Sequence, residues 1–283
     1  MYQQNPPRPP KEVLPTMYDL PSEAAEEPGL PDEFHDFQPQ LLRETCHPVG
    51  YAADQVFIAT DLNLYYNLEQ PLWYKRPDWF LVLGRAPASS QSELRLSYVI
   101  WQEGAVPFLV VELLSPGTEA EDLGQTLREV NTPPTKWQVY EQVLRIPYYV
   151  VFDRYHNQLR VFRLVATRYE SIELAAEPLQ QRYWFAEIQI GLGVWQGQYQ
   201  GTAGLWLRWY DAAGNWLPTA AEQAKQERQQ VEQERQRAEQ ERQRAEQERQ
   251  RAEQERQRAE QERQRADRLA ARLRELGVDL DAE

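Results

Sequence analysis

Large apolar residues are almost absent from the last quarter of this 283-residue chain, cysteine occurs once and histidine three times. Each scarcity excludes something. A single Cys46 rules out an internal disulfide framework and fits a reducing compartment. His35, His47 and His156 are scattered, and with Cys46 they match no familiar zinc-site spacing. There is no 18-residue apolar run and no signal-peptide pattern, so a cytoplasmic protein with no membrane partner is expected. Basic residues are also short: 31 Lys and Arg face 44 Asp and Glu, for a net charge of −13. That balance argues against a simple nucleic-acid binder, because affinity for phosphates comes from Lys and Arg. Residues 1–40 carry −6, residues 41–218 carry −5 and residues 219–283 carry −2, so much of the excess lies away from the candidate site. Nucleases that hold metal ions with carboxylates can themselves be acidic, and DNA stays open as a partner.

What is present divides the chain into three. Residues 1–40 are rich in Pro and acid, lack helical or strand periodicity, and read as a flexible arm without a functional role. Residues 41–217 hold the aromatic and β-branched runs of a core, and residues 218–283 are a charged repeat. In the middle segment, QVFIATDLNLYYN and PLWYKRPDWFLVLG predict strands joined through a turn at NLEQP. PFLVVELLS predicts a buried strand with Glu112 inside it, and a buried carboxylate needs a partner. The plain alternative is an Arg-paired Glu at a strand end. Asp78, after Pro77, starts the run WFLVLG; by itself it is most simply a turn-former.

After Ser115, about twenty residues of acids, Gly and Pro form a long connection that includes Asp122. KWQVYEQVL then has helical spacing, with Lys136 and Tyr140 four apart on one face. IPYYVVFD returns to strand and NQLRVFRLV pairs with it through RYHN. This strand, helix, strand order predicts an α/β sheet with one crossover helix. The tryptophans and glycines of 168–217 read as core cover. A base-stacking surface would need more interleaved basic groups than Arg182 and Arg208.

From Thr219, a capping residue with Glu222 three positions on, the unit RAEQERQ repeats with period seven toward a stop at Gly277. One helix of about 58 residues and about 87 Å is predicted. Its seam is poor. One heptad position is Ala or another apolar residue throughout (Ala224, Val231, Ala238), but its companion is Glu from Glu227 to Glu262 and becomes Leu only at Leu269 and Leu276. The middle therefore reads as a single solvated helix held by acid–base pairs such as Glu241 with Arg244. Leu269, Leu273, Leu276 and Leu280 form a patch suited to a homodimer.

The segments RPDWFLVLG, PFLVVELLSPGT, PTKWQVYEQVLRIPYYVVFD and IGLGVWQGQYQG, in this order and spacing, resemble the Uma-type restriction endonuclease family of the PD-(D/E)XK nuclease superfamily. The likeness covers about residues 41–217, and members ending in a repetitive charged helix are similar too. It implies a restriction-endonuclease-like mixed sheet flanked by helices, to which this chain adds its long C-terminal α-helix. It also implies that Asp78 and Glu112 are the catalytic, metal-holding acids, for Mg²⁺ or Mn²⁺. The basic superfamily pattern has a Lys two residues after the second acid, where this chain has Leu114. The resemblance implies that Lys136, on the following helix, takes that role. Asp122 is a further candidate ligand against a plain reading as a loop acid, and Tyr140 is expected to pack or give one hydrogen bond. The leading expectation is a metal-dependent DNA endonuclease. The second is an inactive nuclease-fold module acting as a scaffold through its helix, and a third is a structural coiled-coil protein with an incidental head.

Overall fold

The computed structural model describes residues 32–115, 119–125 and 133–275. The chain divides into two compact units, Met1–Thr219 and Ala220–Glu283. In chain order the first contains α1 (Glu33–Thr45), β1 (Val56–Thr60), β2 (Leu64–Tyr65), β3 (Tyr74–Lys75), β4 (Trp79–Leu83), β5 (Tyr98–Val99) and α2 (Ile100–Glu103). It continues with β6 (Leu109–Leu113), α3 (Glu119–Asp122), α4 (Lys136–Gln138), β7 (Tyr148–Asp153), β8 (Gln158–Val165) and β9 (Arg168–Ile172). Strands β10 (Arg182–Phe185), β11 (Ile190–Tyr199) and β12 (Thr202–Tyr210) complete it, and the second unit holds α5 (Ala220–Glu275).

The central sheet has six strands in the order β1-β4-β6-β7-β8-β9. Every neighbour pair is antiparallel except β6 with β7, which is parallel. Parallel neighbours need a crossover, and this one carries α3 and α4 over one face. The architecture is therefore mixed α/β, with flanking helices and a long C-terminal helix. Both faces are covered, so β4, β6 and β7 are nearly continuous apolar runs rather than alternating ones. Side chains still alternate between faces. Trp79, Leu81, Leu109, Val111 and Leu113 pack with the β10-β11-β12 sheet and α1, whereas Phe80, Val82, Val110 and Leu114 pack with Val139 and Tyr140 of the crossover.

Helix α1 corrects the reading of residues 1–40 as an arm: residues 1–31 lie outside the described residues, but Glu33–Thr45 is helix. Asp32 caps it by accepting the His35 N–H at 3.0 Å, and Glu33 and Asp36 favour its first turn. Leu41 and Leu42 are buried, and Gln38 docks the helix by donating to the Leu207 carbonyl at 2.9 Å and accepting its N–H at 2.8 Å. Pro39 and the acids hid this helix, because they resemble the composition of the preceding segment.

Helix α5 has 56 residues, about 84 Å at 1.5 Å per residue. Its side chains are exposed almost throughout, Val231 at 64% and Leu269 at 63%. Three Gln amides donate to Glu carboxylates one turn away, as from Gln236 to Glu232 at 3.2 Å. The stop at Gly277 and the leucines at 276 and 280 lie outside the described residues. Among the described residues no helix is long and apolar enough to cross a membrane.

Candidate active site

The site begins with strand register. Trp79 lies opposite Val111 in the β4–β6 ladder, which brings Asp78 level with Glu112 one step on. Both side chains fall on the face of Phe80 and Val110, by the two-residue period of a strand. The segments bond crosswise: the Asp78 N–H donates to Glu112 Oε2 at 3.4 Å, and the Leu113 N–H donates to Asp78 Oδ2 at 2.6 Å. Glu112 is fully buried and Asp78 is half-buried at the strand end.

The crossover delivers the remaining groups. Thr135 and Gln138 form a reciprocal capping box, with Oγ1 accepting the Gln138 N–H at 3.2 Å and Oε1 accepting the Thr135 N–H at 3.0 Å. That fixes Lys136 in the first turn of α4, and its Nζ lies 2.9 Å from Glu112 Oε2 and 3.3 Å from Asp122 Oδ1. Tyr140 donates to Glu112 Oε1 at 2.9 Å, so both oxygens of the buried carboxylate have partners. No arginine plays that part. Lys136 and Tyr140 straddle the start of a π-helical turn, Val139–Val143, closed by Leu144 N–H to Val139 O at 2.8 Å. Asp122 is 1% exposed and its carbonyl accepts from Tyr149 OH at 3.0 Å, which is not the setting of an ordinary loop acid. Gly124 is needed beside it: its φ is +70°, and a Cβ there would come within 2.8 Å of the Trp137 ring.

Burial raises the Glu112 carboxyl well above the usual range; the Lys136 charge opposes this, and the neighbouring Asp78 and Asp122 add to it. Burial alone would lower Lys136. Asp122, Glu112 and Asp78 together outweigh it, so the amine is held as an ammonium well above the ordinary lysine value. Tyr140 is likewise pushed up, by burial and by Glu112. Two hard carboxylates side by side suit a small divalent cation such as Mg²⁺, which uses one or two carboxylates and fills its other positions with water and substrate oxygens. Among the described residues no group of three or more His, Cys, Asp or Glu side chains could hold a metal ion. The fit thus rests on the Asp78–Glu112 pair.

Sequence reasoning missed three participants. His35 reaches β6 from α1, its Nε2 lying 3.0 Å from the Leu113 carbonyl. Asp61 follows β1 with φ +51° and donates its N–H to the Asp78 carbonyl at 3.3 Å. Burial raises its carboxyl and Asp78 adds to this, against Arg76, whose Nε is 3.8 Å away. Glu121 accepts from Lys75 Nζ at 2.9 Å and from the Lys136 N–H at 3.3 Å, tying α3 to β3 and α4. Local patterns carry no signal for these; each depends on β-pairing or docking.

Against this geometry, the family model of Uma2, described as "Putative restriction endonuclease", matches residues 15–192. The chain belongs to the Uma2 family. The Uma2 match spans α1, the whole central sheet and the crossover, and so includes Asp78, Glu112 and Lys136. Among solved structures, the chain is similar to "a putative nuclease belonging to DUF820 from Anabaena variabilis ATCC 29413". That likeness has 12% identity, covers 54% of this chain and 76% of the other, and has a TM-score of 0.36. The comparison with curated proteins gave no match.

Proposed function

We propose that this Uma2-family chain is a metal-dependent endonuclease that hydrolyses DNA phosphodiester bonds, with Asp78, Glu112 and Lys136 as its catalytic residues. The observation that carries the reading is the opposed Asp78 and Glu112 carboxylates with the Lys136 ammonium against one of them. Asp78 and Glu112 would hold Mg²⁺ or Mn²⁺, which when bound supplies Lewis-acid polarisation of the phosphodiester and a more acidic water. Lys136 is held protonated, so its part is not to accept a proton. Its ammonium can orient a water and stabilise negative charge growing on the phosphoryl oxygens. Tyr140 and Asp122 restrain Glu112 and Lys136, so that little reorganisation is left for the reaction itself.

One observation favours a second reading, an inactive nuclease-fold scaffold: Lys136 and Tyr140 already satisfy Glu112 without any added cation. The exposed Leu269 supports a homodimer through the C-terminal leucines in either case. The test is to incubate plasmid DNA with Mg²⁺ or Mn²⁺ and the parent, Asp78→Ala, Glu112→Ala and Lys136→Ala proteins. Loss of cleavage in each variant is expected. Cleavage that persists in all three removes the site assignment, and a parent that neither cuts DNA nor binds Mn²⁺ by calorimetry favours the scaffold.

A further inference from the structure

The Asp78–Glu112 pair depends on a backbone unit that neither carboxylate supplies. The Leu113 peptide gives its N–H to Asp78 Oδ2 at 2.6 Å, while its carbonyl faces His35 Nε2 at 3.0 Å. The other ring nitrogen of His35, Nδ1, lies 2.8 Å from Asp32 Oδ1, which also accepts the His35 N–H at 3.0 Å. Both ring neighbours are therefore acceptors. A carbonyl has no hydrogen to give, and the Asp32 carboxyl is ionised at neutral pH. Burial opposes that ionisation, but the His35 hydrogen bonds and the His35 and Arg154 charges outweigh it and hold Asp32 at about 2. A neutral imidazole can donate from only one nitrogen, so this geometry calls for the doubly protonated ring.

The first turn of a helix is a poor place for a cation. Here Asp32 supplies the compensating charge, and it is itself anchored by Arg154, whose guanidinium stacks 5.1 Å from the Phe34 ring centroid. Burial works against the charged His35 ring. The Asp32 hydrogen bond and the nearby Asp78 charge overcome it and raise His35 above its ordinary value.

We infer that His35 is a positioning residue of the candidate site: donating from both ring nitrogens, it ties Asp32 to the Leu113 carbonyl and so fixes the peptide whose N–H orients the Asp78 carboxylate. The chain of contact is Arg154, Asp32, His35, Leu113 and Asp78, and it joins α1 and the end of β7 to the middle of the sheet. The consequence for cleavage rests on the proposed nuclease activity; the consequence for the Leu113 peptide does not.

The test uses the full chain and three measurements. Nitrogen-15 NMR of the parent at pH 7 should show both His35 ring nitrogens protonated. Hydrogen exchange at the Leu113 amide should be faster by about tenfold in His35→Phe, relative to amides elsewhere in β6. It should return towards the parent in His35→Gln, whose amide can still donate to the carbonyl. If the parent cuts DNA, kcat should fall about 10²-fold in His35→Phe with KM little changed, and His35→Gln should recover most of it. A ring nitrogen without its proton at pH 7, or a Leu113 amide equally protected in His35→Phe, overturns the inference. Should the Phe variant not fold, a Leu113 amide no better protected in His35→Gln than in folded His35→Ala overturns it too. A doubly protonated ring with the expected exchange pattern, in a parent that cuts no DNA, sustains the inference and counts only against the nuclease reading.

Discussion

Asp78 and Glu112 face each other across the β4–β6 ladder, and each carboxylate accepts a backbone N–H from the other's segment: Leu113 to Asp78 at 2.6 Å and Asp78 to Glu112 at 3.4 Å. Two acids are thus held together by the sheet itself, although burial first, and then the neighbouring Asp78 charge, raise the Glu112 carboxyl. The ammonium of Lys136 is the adjoining countercharge, and its removal should be costly.

Replacing Lys136 by Met leaves a fully buried Glu112 without its cation. Removing one partner of a buried pair costs about 3–5 kcal/mol. Adding Glu112→Gln to that variant should restore part of the loss, because it neutralises one of the two buried acids, Glu112 and Asp122, that lose their cation. Urea unfolding of the two single variants and the double variant measures this coupling; additive losses would contradict it.

Tyr140→Phe removes one hydrogen bond to the same carboxylate without changing the packing shape. A bond to a charged acceptor is worth about 1.5–3 kcal/mol, so unfolding should show a loss in that range. Cleavage should fall less than in Lys136→Ala, because the tyrosine restrains Glu112 rather than meeting the phosphate.

Asp32 gives a pH signature. Its folded value is about 2 against an ordinary 3.8, so the folded state binds the proton less tightly than the unfolded chain. The resulting stabilisation is complete above about 3.8 and disappears as pH falls towards 2. In Asp32→Asn, melting measured across this window should lose part of its pH dependence, and an unchanged slope would show that the Asp32 contacts add nothing.

Deleting residues 267–283 removes the leucines at 269, 273, 276 and 280 while leaving the charged repeat. Sedimentation should show less self-association than in the full chain, and an unchanged mass would place association elsewhere. Salt should lower the helicity of an isolated 220–275 peptide, because its acid–base pairs at three- and four-residue spacing are worth about 0.2–0.5 kcal/mol each and are screened.

The parts legible in the sequence were those written locally. An acid inside PFLVVELLS must have company, and Lys136 and Tyr140 share a helical face; the structure brings both to Glu112. Asp78 could be named only through the family resemblance, since a Pro-Asp pair at a strand start is ordinary. The N-terminal helix was missed because composition masked the spacing of Phe34, Phe37, Leu41 and Leu42. His35 went with it, 78 residues from the carbonyl it meets. The burial of Asp122 and the approach of Asp61 depend on how strands pair and the crossover folds back, information that no short window contains.

The π-helical turn at Val139–Val143 makes the site sensitive to length as well as to chemistry. Each turn of that kind accommodates one residue more than an α-helical turn. The extra residue is taken up between Tyr140, which meets Glu112, and Ile146, whose N–H donates to the Tyr140 carbonyl at 2.8 Å, so it sets how the chain leaves the helix towards β7. The spacing from Lys136 to Tyr148 is thus set by backbone hydrogen bonding as well as by side chains.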